Sequence, residues 1–243
     1  MTGANIVNPD PILTSDDDND EEPLMQAHFT LMLSSWLILA PMAIITSWTM
    51  RQTLRNNLWF KIHTTANILT FLATLAGIIC IFILAGEWVG DQDWASKHCK
   101  CGISVFLLVW SNFFLGMARA KFVPEPWESE KFYNKDPYRT PSGTAFRLIH
   151  RIFGLAAIGC GYATIYYAID FWDFPIDDTT SKDNLYVIYF SVIGITLAGA
   201  GILTVFDRFG RRSKCIRSLI TIIYIGLWVA TVGGVSYMIS ILW

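Results

Sequence analysis

The chain has four histidines, His28, His63, His98 and His150, at successive separations of 35, 35 and 52 residues. Each stands at or near the beginning of a different long apolar run, the first four such runs in order. One histidine in such a place is an ordinary interfacial or capping residue. Four on four successive runs form a pattern, because neighbouring helices run antiparallel and their starts alternate between two levels. His28 and His98 then share one level, and His63 and His150 share the other. Ionisable groups inside a membrane segment are functional candidates by default.

Two facing imidazoles suit the iron of a haem. Neutral imidazole is a good axial ligand, and the porphyrin supplies the four equatorial nitrogens, so two side chains complete the site. The cores of helix bundles are a usual place for a cofactor held in this way. Zinc is the rival, but it takes four ligands converging on one point. Here roughly 20 helical residues at about 1.5 Å each set the two pairs some 20–30 Å apart. The stretch His98-Cys99-Lys100-Cys101 leaves a soft-metal site as a weaker alternative. Glycines Gly102 and Gly154 fall four residues after His98 and His150, on the same helix face, where a flat cofactor needs room against the backbone. Ser34, Ala66 and Ala73 are further small residues that could line such sites.

The elements that must position these residues are six apolar runs, 29–50, 58–86, 101–118, 155–169, 185–206 and 218–243, free of Asp, Glu, Lys and Arg except for Lys61 near the start of the second. A helix of about 20 residues crosses a hydrocarbon core of about 30 Å. In lipid every backbone polar group must be satisfied within the segment, so the runs are helices. The third and fourth are short, and are expected to extend back through His98 and His150 into charged flanks whose long side chains can snorkel. The expected fold is an all-α integral membrane protein of six transmembrane helices, the first four forming a di-haem four-helix bundle over 25–173. Two additional helices follow over 174–243. Residues 1–24 hold seven acids and no Lys or Arg, and lack the basic start and apolar core of a signal peptide. They read as an acidic disordered tail. Five scattered cysteines make no disulfide framework, and no Cys-x-x-Cys-His attachment site is present.

Basic residues partition sharply. The side that bears both termini carries Lys97, Lys100 and Lys182, and the other side carries the remaining 15 of the 18. The positive-inside rule makes that second side cytoplasmic. The termini are therefore expected to be extracellular or luminal, in the plasma membrane or an endomembrane vesicle. The longest cytoplasmic connection, 121–147, is rich in Pro, Trp, Tyr and charge and reads as an ordered cap or interfacial segment.

From His28 to about Trp172 the chain resembles the cytochrome b561 family, in the ferric-chelate-reductase-like branch without a DOMON module. The resemblance rests on His28-Phe29-Thr30-Leu31-Met32 with Trp36 and Pro41, and on Trp59-Phe60-Lys61-Ile62-His63. It rests also on His98 with Gly102, on Asn112 with Gly116 and Arg119, and on Arg147 with His150 and Gly154. It implies two haem b groups, ligated by His28 with His98 and by His63 with His150, as topology also pairs them. It implies a transmembrane, ascorbate-dependent reductase. Electrons would pass from cytosolic ascorbate to ferric iron, another metal ion or monodehydroascorbate outside or in a lumen. The pattern departs from the branch in places. The usual arginine near the end of the first core helix is shifted to Arg51, the usual glutamine of the third helix is Asn112, and a lysine cluster before the second histidine is reduced to Arg55 and Lys61.

A basic cytoplasmic mouth is expected near His63 and His150. Arg51, Arg147 and Arg151 are candidates for haem propionates, and Lys61 and Arg139 for an anionic donor. Acidic loops on the other side would attract a cationic acceptor. The expected partners are membrane lipid, the small-molecule donor and acceptor, and a second copy in a homodimer, with no nucleic acid. Two other readings stay open: a haem-binding relay or redox-sensing subunit of a larger membrane complex, and a haem-free scaffold.

Overall fold

The computed structural model describes residues 21–50, 53–54, 57–88, 96–122, 141–171, 182–210 and 214–242. These residues are almost wholly helical and contain no strand. The helices are α1 (Glu21–Leu33), a π-helical segment (Ser34–Leu39), α2 (Ala40–Thr49), α3 (Leu58–Trp88), α4 (Lys97–Phe122), α5 (Pro141–Phe171), α6 (Lys182–Gly210) and α7 (Lys214–Ile241). The first three pieces are continuous, so among the described residues six helices are long and apolar enough to cross a membrane. The protein is an all-α, multi-pass membrane protein.

Each spanning helix extends beyond its apolar run at one end or both. α4 begins at Lys97 and α5 at Pro141, so both extend back through their histidines as expected, and α5 adds a polar first turn and more. α1 begins at Glu21, within the stretch expected as a tail; residues 1–20 lie outside those described. The π-helical segment has a local cause. Pro41 has no N–H to return to Leu37 and its ring crowds the preceding turn. Widening the turn relieves both problems, and the Ala40 N–H accordingly donates to Ser35 O, five residues back.

Packing sorts the helices into pairs. α3 lies along α1 and α2, α4 lies along α5, and α6 lies along α7. α3 and α4 meet sparsely, which leaves the first two pairs facing one another across a seam. Along that seam Phe71 of α3 stacks on Phe113 of α4 at 4.2 Å and meets Trp110 edge-on at 5.2 Å. The first span is the most enclosed. Trp36 is buried and presses its indole into the groove at Gly161 of α5, where a Cβ would overlap the ring. One apolar cluster joins Leu33, Trp36 and Leu37 to Val105, Ile165, Leu185, Tyr189 and Met238. A second joins Ile45 and Met50 to Leu203, Ile220, Leu227 and Trp228. Between α2 and α7, Thr46 Oγ1 and Tyr224 Oη share a buried hydrogen bond of 2.6 Å. Large apolar side chains such as Phe82, Leu107, Val187, Ile222 and Val229 are exposed on the outer faces, a surface suited to lipid.

Candidate haem-binding site

The two hairpins each contribute one histidine to each level. At the first level His28 of α1 faces His98 of α4, with ring centres 6.4 Å apart and planes 73° from parallel. At the second, His63 of α3 faces His150 of α5, with ring centres 6.3 Å apart and planes at 77°. The sequence pairing by alternation is the pairing found in space. Two rings clamping one ion need about 2 Å from each nitrogen to the metal and about 1.1 Å from nitrogen to ring centre, so about 6.2 Å between centres. Both pairs match that spacing.

Three of the four imidazoles are held by the backbone of the neighbouring helix. His28 Nδ1 lies 2.8 Å from Gly77 O of α3. His63 Nδ1 lies 2.8 Å from Ala43 O of α2. His98 Nδ1 lies 3.0 Å from Thr164 O of α5. A carbonyl oxygen only accepts, so each of these Nδ1 atoms is the protonated one and donates. Nε2 is left with its lone pair, the state a metal requires. Asn67, one turn on from His63, donates from Nδ2 to His63 O at 2.8 Å and lies 3.3 Å from both ring nitrogens. His150 stacks on Phe146 one turn earlier, with ring centres 5.7 Å apart and planes 9° from parallel. These cross-helix bonds also measure the separation. Gly77 stands 14 residues on from His63, and Thr164 stands 14 residues on from His150. At about 1.5 Å per residue the levels lie about 21 Å apart.

Two facing imidazoles at each level are a donor set that could hold a haem iron. Among the described residues no group of three or more His, Cys, Asp or Glu converges. This geometry gives no support to the zinc and Cys-x-Cys alternatives. The glycines agree with the haem reading. A Cβ on Gly102 would meet only Thr164 Cγ2 at 3.9 Å, and one on Gly154 only Asn112 Nδ2 at 3.5 Å. Neither glycine is required by contact between helices, unlike Gly161 or Gly199, whose Cβ positions are filled by Trp36 and Leu227. Of the other small residues, Ala66 is buried, and Ser34 and Ala73 are half-buried.

The basic residues are less gathered. Arg147 is half-buried on α5, three residues before His150, and Arg151 is exposed just after it. Lys61 is exposed and lines a shallow groove of about 260 Å³ with Leu39, Met42, Ile62, Thr65, Ala66 and Leu69, beside His63 in sequence but mostly apolar. Arg51, Arg55 and Arg139 lie outside the described residues, as do most of the acidic loop residues. Sequence reasoning missed the carbonyl acceptors at Gly77, Ala43 and Thr164, together with the roles of Asn67 and Phe146. The signal for the first three was the spacing of 14 or 15 residues, one membrane crossing between levels, from each histidine along its own helix.

No family model matches the chain. No solved structure matches it. A protein of Danio rerio described as "Putative ferric-chelate reductase 1" is 28% identical over 113 residues, covering 44% of this chain. The chain covers only 18% of that relative's length.

Proposed function

We propose that the protein carries electrons across a membrane through two haem b groups, one held by His28 and His98 and the other by His63 and His150. The reading continues that the donor is cytosolic, with ascorbate the leading choice, and that the acceptor is extracellular or luminal, such as ferric iron or monodehydroascorbate. The carrying observation is the pair of facing imidazoles at each of two levels, 6.4 and 6.3 Å between ring centres. The similarity to a protein described as a ferric-chelate reductase supports an oxidoreductase. Resemblance to the cytochrome b561 family supports the same reading.

When bound, haem b supplies a one-electron couple at iron, and the polypeptide sets its place and surroundings. His28, His63 and His98 keep Nε2 free of a proton by donating from Nδ1 to Gly77, Ala43 and Thr164. Phe71, Trp110 and Phe113 line the seam between the hairpins with aromatic surface between the two levels. Arg147 and Arg151 supply positive charge beside His150, suited to a propionate or an anionic donor. The positive-inside rule puts that level on the cytoplasmic side.

The test uses the purified full chain in sealed proteoliposomes, oriented by protease accessibility of the termini. Ascorbate added on the His63–His150 side should reduce a ferric chelate trapped on the other side. A chain that holds haem but passes no electrons from ascorbate favours the relay or sensing subunit. A chain that holds no haem favours the scaffold.

A further inference from the structure

Three of the four imidazoles obey one rule. The acceptor of each Nδ1 proton sits on the partner helix of its hairpin, at the place where that helix has crossed from one level to the other. Ala43 is 15 residues on from His28, Gly77 is 14 on from His63, and Thr164 is 14 on from His150. Within the first hairpin the arrangement is reciprocal, since His28 and His63 each bond the helix that carries the other. In the second hairpin His98 bonds the helix that carries His150. Reciprocity places the remaining acceptor on α4, 14 residues on from His98, at Asn112.

Asn112 differs from the other three acceptor positions in bringing its own side-chain carbonyl. Its Oδ1 is buried and has no hydrogen-bond partner. A buried acceptor left unpaired is costly, and in lipid no bulk water relieves it. The amide is already at the right surface, with Nδ2 3.5 Å from where a Cβ on Gly154 would stand. Gly154 is one turn on from His150, on the same face of α5.

We propose that Asn112 is the positioning residue for His150, its Oδ1 accepting the Nδ1 proton of that imidazole in the haem-loaded protein. The other three acceptors are backbone carbonyls, which no substitution deletes. Asn112 is then the one point where a single mutation removes an acceptor and leaves the ligand in place. The proposal rests on the di-haem reading. An acceptor on Nδ1 orients the ring and makes Nε2 more basic, favouring the ferric state. Losing the acceptor should raise the midpoint potential of that haem alone and let the ring turn from its near-perpendicular setting, which changes the spread of ferric low-spin g-values.

The experiment takes the full chain as purified and counts haem first. A wild-type chain without haem defeats the di-haem reading itself. With two haems bound, redox titration and low-temperature EPR compare wild type, Asn112→Leu and Asn112→Gln. Asn112→Leu should move one midpoint upward and change one set of g-values, with the second haem as internal control. In a His98→Ala background the surviving haem should be the one that moves. Asn112→Gln, which keeps an amide oxygen, should return the midpoint toward the wild-type value. Unchanged midpoints and g-values in a two-haem Asn112→Leu protein overturn the proposal. So does a shift of both haems together, or a Gln variant displaced as far as the Leu variant.

Discussion

Gly154 and Gly161 are seven residues apart on α5, and alanine at each should fail in opposite ways. At Gly161 the new Cβ lands on the buried indole of Trp36, a rigid ring in the same apolar cluster as Leu33 and Leu37. Overpacking of this kind costs about 1–3 kcal/mol, and the gain in helix propensity returns at most about 1. At Gly154 the new Cβ meets only Asn112 Nδ2 at 3.5 Å, an ordinary contact. The unloaded protein should therefore tolerate Gly154→Ala or gain slightly. If the space belongs to the haem of His63 and His150, the same methyl intrudes on the cofactor. The same 1–3 kcal/mol then becomes a 5- to 150-fold loss of affinity, at about 1.4 kcal/mol per tenfold. The assay pairs haem content per chain with thermal stability, read as the monodisperse fraction after heating. Gly154→Ala should keep its stability and lose part of one haem. Gly161→Ala should lose stability at both levels together. A Gly154→Ala protein with full haem content and unchanged midpoints refutes the claim that this glycine makes room for the cofactor.

Three further outcomes follow from the same geometry. His28→Ala should lose the haem of the first level and keep the second, while His63→Ala does the reverse, as reduced-minus-oxidised spectra at low temperature would resolve; loss of both haems in either well-folded variant contradicts the pairing. Tyr224→Phe removes the 2.6 Å bond to Thr46, and should cost about 0.6 kcal/mol, the average for interhelical hydrogen bonds in membranes, and no more than about 1.7, without altering the haem spectrum. Arg147→Gln should slow reduction by ascorbate about tenfold, near the lower end for a charged hydrogen bond, while Arg151→Gln, at an exposed position, should change the rate less; equal, small effects in initial-rate assays would remove Arg147 from the donor path.

The sequence carried the membrane fold openly because charge is costly in lipid. Six runs with Lys61 as their one charged residue, and a lopsided distribution of Lys and Arg, are direct consequences of that cost. The histidines were legible for the same reason, since four ionisable groups on four spans demand an explanation, and antiparallel packing leaves few ways to pair them. Helix starts were less visible. Hydropathy stops at the first arginine, whereas α5 continues through Arg151 and Arg147 to Pro141 because long basic side chains reach water from a buried backbone. The carbonyls that orient the imidazoles leave no mark on residue type, as Gly77, Ala43 and Thr164 serve through atoms every residue has. The wedge of Trp36 into Gly161 was hidden among many glycines of similar context, and only the packed helices distinguish it from Gly154. Pro41 was plainly visible, but its π-helical consequence depends on how the preceding turn relaxes.

The most direct test of the central claim is the number of haems in the purified chain, by pyridine haemochromogen against amino-acid analysis, with reductive titration by ascorbate. Two haem b per chain, each with a bis-imidazole spectrum and both reducible, is the expected result. A chain free of haem, or one with a single haem that survives loss of His98 and of His150 in turn, contradicts the account.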